Sequence, residues 1–243
     1  MSLDLNTSID FLKTRVDQTL SVIRLIDGTW TWPVKTTAAW EADSLALDKS
    51  QPDTTAAKAI GAETLAAAAR SQLDQRLAEM HRQTLVAVGV MRVRAKRDVA
   101  LADVVDELSA RGDSRPATEE EGVGLLSAWK QEFGIDFTPA PGIDYHGFEV
   151  LFTGDAAATP PVPSLRALKQ GLSDATTTAR REVARLNVLL NRVQDDAQLW
   201  YAEATAVFPA GTETGDLIRS TISTTDTYNP PNPAKPADPQ PPA

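Results

Sequence analysis

The chain has 243 residues, no cysteine, two histidines and a formal net charge of −9. Lack of cysteine excludes disulfide frameworks, thiol nucleophiles, zinc knuckles and iron–sulfur clusters. The negative balance argues against nucleic acid or anionic lipid as a nonspecific partner, since that needs clustered Lys and Arg. Apolar residues make up 42%, the share of an ordinary globular protein. Much of it is alanine, which favours helix and lets helices approach closely.

The N-terminus, Met1-Ser2-Leu3-Asp4-Leu5-Asn6, has neither the basic n-region nor the apolar h-region of a signal peptide. No stretch approaches the apolar length of a membrane span. The expectation is a soluble, cytoplasmic protein with no integral membrane segment.

The first helix is predicted to start after Asn6 or Thr7, either of which can cap it. Ile9, Leu12, Val16, Leu20, Ile23 and Ile26 recur at spacings of three and four and share a face. Asp27-Gly28 stops this helix. Trp30-Thr31-Trp32-Pro33 follows, then a shorter helix around 37–48 carrying Trp40. Pro52-Asp53-Thr54 opens the next helix. Val86, Val88 and Val90 alternate as a strand would, but the flanks of 85–93 are helical and no turn residue isolates the run. Arg92, Arg94, Lys96 and Arg97 gather before Asp98, where cations suit a helix end and aspartate a new start. A kink or break is expected there.

The segment 99–111 closes at Gly112, and Asp113-Ser114-Arg115-Pro116 is a turn. Thr118 with Glu121 reads as a capping box for a helix to about Phe133, weakened by Gly122 and Gly124. Residues 134–163 form a long irregular loop, and such loops are often functional. Within it Phe148, Val150 and Phe152 alternate with Glu149, Leu151 and Thr153, a pattern compatible with a short strand.

The clearest signal follows the cap at Ser164. Leu165, Leu172, Ala179, Leu186, Val193, Trp200 and Val207 fall every seven residues. A second row, Leu168, Ala175, Val183, Leu190, Ala197 and Ala204, starts three later and drifts to four, as a nearly straight helix requires. A helix over 164–208 would be about 65 Å long and needs other long helices over its stripe. The segment 54–97 is the natural antiparallel partner. After Phe208-Pro209 comes a turn and a short helix over 211–222. Seven prolines then lie between Pro230 and Pro242, the composition of an extended polyproline segment without its own core.

The closing residues Trp200-Tyr201, Ala204, Phe208-Pro209, Gly211-Thr212, Gly215-Asp216, Ile218-Arg219 and Thr224-Thr225 resemble the closing motif of a group of uncharacterised bacterial helical proteins. Arg111-Gly112-Asp113-Ser114-Arg115, followed by Trp129, is similar to that group's middle segment. The resemblance covers about half of the chain and leaves out the loop 134–163. It implies a helical bundle and no chemistry.

Chemical motifs are weighed against plainer readings. Di-metal carboxylate bundles need Glu-x-x-His pairs, and neither His81 nor His146 has an acid three residues before it. His81, among Glu79, Arg82 and Gln83, reads as part of a solvated helix face. His146, with Asp144, Tyr145 and Glu149 nearby, has the residue types of a general base or a binding surface, although no nucleophile or orienting partner is identifiable. Gly122-Val123-Gly124 lacks the third glycine of a dinucleotide fingerprint and sits within a helix. Arg111-Gly112-Asp113 spells an adhesion tripeptide, yet its glycine has an ordinary helix-ending role. Arg180, Arg181, Arg185 and Arg192 form a basic stripe in which Glu182 can pair at i,i+3, which favours a solvated face over an anion site. Trp30, Trp32 and Trp40 either cap the end of a core or form an exposed apolar patch.

The expectation is therefore an all-α protein: an elongated antiparallel bundle of about four main helices over 1–222, with the loop 134–163 inserted and a proline-rich tail over 223–243. A non-enzymatic structural or interaction protein is favoured, with protein partners or self-association and no cofactor or metal. Its candidate interaction surface is Trp30, Trp32, Trp40, Tyr145, His146, Phe148 and Phe152. A membrane-active helical protein, inserting Trp30–Trp40 and 85–93, is the second class. An enzyme using the 134–163 loop is the third.

Overall fold

The computed structural model describes residues 5–96, 99–108 and 115–222. The proline-rich tail and the Arg-Gly-Asp tripeptide lie outside them. The described chain is all-α: α1 (Leu5–Leu25), α2 (Thr37–Ala46), α3 (Thr55–Ala95), α4 (Val99–Leu108), α5 (Arg115–Ala128), α6 (Tyr145–Thr153), α7 (Leu165–Val207) and α8 (Glu213–Thr221). A π-helical turn, Trp129–Phe133, continues α5. Among these residues the only extended pairings are isolated bridges, Ala140 with Ile143 and Asp155 with Val162.

Capping sets two of the predicted boundaries, while α1 already runs from Leu5, so Asn6 and Thr7 lie within it. Thr54 Oγ1 accepts from the Ala57 amide at 3.1 Å and opens α3; Ser164 Oγ accepts from the Ala167 amide at 3.1 Å and opens α7. Each satisfies an amide that the first helical turn leaves unpaired. The run 85–93 is helical throughout, and the break before Val99 falls where the cations gather.

Two expectations are corrected. The residues Phe148, Val150 and Phe152 are not a strand but part of α6. Asp144 caps that helix through the Gly147 amide at 2.7 Å. Tyr145, Phe148 and Phe152 then share one helical face, whereas the strand reading rested on the alternation of Phe148, Val150 and Phe152. Thr118 is not an N-cap: α5 already begins at Arg115, which places Thr118 inside the helix and buried. Pro116 falls in the first turn, the one part of a helix that tolerates proline.

The residues pack as two compact units. One combines the chain up to Glu63 with the chain from Thr178; the other is Thr64–Thr177. α3 and α7 each supply residues to both.

In the first unit Ile9, Leu12, Val16 and Leu20 of α1 are buried against Leu186, Leu190, Val193, Ala197, Trp200 and Ala204 of α7. The two heptad rows merge here into one buried stripe at alternating spacings of four and three. Ala56 and Ala59 of α3, Trp40 of α2, Ile218 of α8 and Ile222 just after it close the same core. Val207, the last member of its predicted row, is half exposed, because a straight helix drifts out of a strict heptad.

The second unit holds two apolar clusters. Ala87, Val88, Met91 and Ala95 of α3 pack with Val105 of α4, Leu125 of α5, and Trp129, Phe137, Ile143, Tyr145 and Phe148. Leu73, Leu77 and Met80 of α3 meet Leu165 and Leu168 of α7. Gly122, read from sequence as a weak point, has a packing role: a Cβ there would sit 2.3 Å from Phe152 Cζ. The end of the 134–163 segment is fixed by Gly154, whose φ is +72° and whose Cβ would lie 2.5 Å from the Val162 carbonyl oxygen. Asp155 and Val162 exchange two backbone hydrogen bonds at 2.8 Å each. Arg76 donates to the carbonyls of Leu151 at 2.8 Å and Pro163 at 3.1 Å. Gly154→Ala combines left-handed strain with a backbone clash, so it is expected to destabilise this unit by about 2–4 kcal/mol, read as a lower urea midpoint.

Candidate functional site

The densest polar chemistry lies in the first unit, after α1. Gly28, at φ +80°, turns the chain out of α1, and Thr36 caps α2 through the Ala39 amide at 3.3 Å. The intervening segment is thereby held against α7. Trp30 is half-buried, 6.3 Å from Trp200 and edge-on to Phe208 at 6.1 Å. Trp32 is buried, 6.0 Å from Trp40, and its Nε1 donates to Glu203 at 2.8 Å.

Lys35 ends this segment inside the protein. Its Nζ lies 3.9 Å from the centroid of the Trp40 ring and 2.7 Å from Asp196 Oδ2, and it also donates to Asp43 Oδ2. The other oxygen of Asp43 accepts from Arg192. The Lys35 and Asp43 side chains are 9% and 7% exposed, whereas Arg192 is 59% exposed. Two cations and two carboxylates thus form a neutral network between α2 and α7. Charges in so dry a place persist when paired and hydrogen-bonded. An ammonium shared among two carboxylates and an indole face acts as a clamp.

Beside it lies a cavity of about 30 Å3, lined by Ile23, Ile26, Trp30, Trp32, Lys35 and Trp200 among others. That is room for a water or two. The indole nitrogens of Trp40 and Trp200 are buried and meet no protein acceptor among the described residues.

The C-terminal motif forms a second built feature of this unit. Arg219 donates to the carbonyls of Thr205 at 3.1 Å, Phe208 at 3.1 Å and Gly215 at 2.8 Å. The first two are carbonyls at the end of α7, which a helix leaves without internal partners. Thr212 caps α8 through the Gly215 amide at 3.1 Å, and the Gly211 amide donates to Asp216 at 2.9 Å. A Cβ on Gly215 would lie 2.1 Å from the Pro209 carbonyl oxygen and 2.7 Å from that of Phe208. Of the quoted motif residues, Phe208, Pro209, Gly211, Thr212, Gly215, Asp216 and Arg219 meet at the α7–α8 corner, while Trp200, Ala204 and Ile218 belong to the core.

The seven candidate surface residues fall into two groups, one in each unit. Of the two readings of the tryptophans, burial favours the core cap. Trp32, Trp40, Tyr145 and Phe148 are core residues, and Trp30 and Phe152 are half-buried. Trp129 gathers the second group, with ring centroids 6.2 Å from Tyr145, 6.1 Å from Phe148 and 6.4 Å from Phe137. Its Nε1 donates to the Phe137 carbonyl at 3.0 Å. Burial, then the Glu149 charge, raises the Tyr145 phenol above its ordinary pKa. His146 alone of the seven is well exposed, with Nδ1 3.6 Å from Glu149.

The charged helix faces are also ordered. All four arginines of the α7 stripe are exposed, and Arg181 and Arg185 bond Glu182, the latter at the expected i,i+3 spacing. His81 departs from the solvated-face reading: it is half-buried, with Nδ1 3.9 Å from the buried carboxylate of Glu121. Glu79 is held down to about 2 by hydrogen bonds from Arg82, then from Gln83. A depressed carboxylate contributes stability above its unfolded pKa and loses it as pH falls towards 2. Carboxyl NMR should show Glu79 titrating near 2 in the native protein and towards its ordinary value in Arg82→Ala; a wild-type midpoint near 4.5 would contradict this.

Among the described residues no cluster of three or more His, Asp or Glu is placed to hold a metal, and no helix is long and apolar enough to cross a membrane. Comparison with known proteins gives no match to any family model, curated protein or solved structure. Sequence reading missed the Lys35 network altogether. Lys35 lies outside any helical period, and its partner Asp196 is 161 residues away.

Proposed function

We propose that the chain is a non-enzymatic binding protein, an assembly or scaffold component that associates through its helices with protein partners, copies of itself included. The observation that carries this is on α7. Val188 and Leu199 are 70% and 46% exposed. Eleven residues apart, they share one face, while the opposite face of the helix fills the first unit's core. Two exposed apolar positions three turns apart, with Arg192 and Asp195 between them on the same exposed face, give helix–helix association an apolar contact at each end and charges to pair in the middle. The same proposal includes a coiled-coil-like pairing of the long helices, a contact role for the proline-rich segment after 223, and a cytoplasmic setting. It also includes kinship with the bacterial helical proteins that the closing motif resembles.

Sedimentation velocity over the micromolar range tests the reading. Reversible association that Val188→Glu/Leu199→Glu dissolves is the expected result. A chain that stays monomeric at every concentration would count against self-association.

A further inference from the structure

The geometry points to the α3 face at Leu85, Val86, Gly89, Val90 and Val93 as a docking site for an amphipathic helix with acidic residues at both ends of its apolar row. Spacings of one and four place the five residues on one face, over about 12 Å of helix. Leu85 and Val93 are 62% and 64% exposed. Gly89 between them is exposed, and a Cβ built there would meet nothing within 4 Å. Val86 and Val90, half-buried, join the stripe to the second unit's core, which gives it a rigid base. The glycine leaves a notch in which another helix backbone can approach closely.

Charge selects the occupant. Arg82 lies one turn before Leu85 and Lys96 one turn after the last valines. Arg92, paired with Asp106 of α4, flanks one side; Arg94, 4.3 Å from the centroid of Phe137, flanks the other. Four cations thus frame the stripe; Glu79 pairs with Arg82 and Asp106 with Arg92, and Arg94 and Lys96 add positive charge at its C-terminal end. A second copy crossing antiparallel at Gly89 would set Arg82 beside the other copy's Lys96, since both lie seven residues from the glycine. A parallel pairing would oppose Arg82 to itself. Like charges so placed disfavour a second copy. Binding to a lipid surface scales with buried apolar area, and this stripe offers one leucine, three valines and a glycine over about 12 Å. A partner helix with glutamate or aspartate at its ends meets both the notch and the frame.

This rests on the reading of the chain as a binding protein, but on a different face from the α7 proposal. The test uses the whole chain and two labelled synthetic helices, both with a leucine row, one ending in glutamates and the other in lysines. Fluorescence anisotropy should show micromolar binding of the glutamate helix, about tenfold tighter than the lysine helix, and weaker with added salt. Leu85→Glu/Val93→Glu, at exposed positions, should abolish it with the circular dichroism spectrum and melting temperature unchanged. Val188→Glu should leave it intact. Equal binding of both helices, no micromolar binding, or equal loss in Val188→Glu would overturn the proposal. So would a lighter sedimenting species in Leu85→Glu/Val93→Glu, which gives the face to a second copy. Binding to phosphatidylglycerol vesicles that this variant abolishes would give it to lipid. Failure of peptide binding leaves α7 association standing, and a monomeric chain leaves the peptide result standing.

Discussion

Lys35→Met is expected to lower the stability of the first unit by about 3 kcal/mol. The change keeps most of the apolar stem but strips the buried Asp43 of one of its two cations. Arg192, the remaining partner, is 59% exposed and cannot replace an ammonium seated on the Trp40 ring. The same magnitudes rank the network's members. Arg192→Ala removes a solvated partner and should cost under about 1 kcal/mol, because Lys35 still neutralises Asp43. Urea unfolding followed by tryptophan fluorescence measures both. Four of the five tryptophans lie in the first unit, so a Trp129→Phe background makes the signal report that unit alone. A loss in Lys35→Met no larger than in Arg192→Ala would show that the clamp is as weak as a surface pair.

Arg219→Ala should cost the same unit about 2–4 kcal/mol, since hydrogen bonds from a charged donor contribute about 1.5–3 kcal/mol each and this side chain is only half-buried. Three carbonyls share its guanidinium. Lysine offers one ammonium in place of a planar fork, so Arg219→Lys should recover less than half of the loss. Gly215→Ala probes the same corner from the other side, through the carbonyls of Pro209 and Phe208 that a methyl would strike. Hydrogen exchange localises the effect: faster exchange at Phe208 and Thr212, with α1 unchanged, marks opening of the α7–α8 corner. Uniformly faster exchange across the unit would instead mean that Arg219 holds the whole core.

Much of the fold is legible because helices write themselves locally. The caps at Thr54 and Ser164, the α1 stripe and the α7 rows depend on neighbours a few residues apart, and all appear in the structure. Period alone could not decide α6. Phe148, Val150 and Phe152 fit a strand's period while Tyr145, Phe148 and Phe152 fit a helix's, and Asp144 caps the helix that forms. The start of α5 was misread because Thr118 and Glu121 have cap-like spacing within a helix interior. The tryptophans were ambiguous for another reason. An indole suits a core end and an exposed patch equally well, and only long-range packing shows that Trp32 and Trp40 are buried. The Lys35 clamp had no local signature, since its energy comes from charges brought together across the chain.

The division of the two units along the chain bears on the order in which the protein folds as it is made. The second unit is one uninterrupted stretch, Thr64–Thr177, whereas the first needs both flanks, joining Ile9 to Ile218 in a single core. As synthesis proceeds, the inner unit has its complete set of residues while α1 and α2 still lack the later part of α7 and α8. Closing the first unit's core then requires contacts about 200 residues apart, the slow class of folding event. Until the later part of α7 emerges, the apolar faces of α1 and α2 lack the residues that bury them. A circular permutant that joins the two flanks and opens the chain between Thr64 and Thr177 would shift that delay to the inner unit.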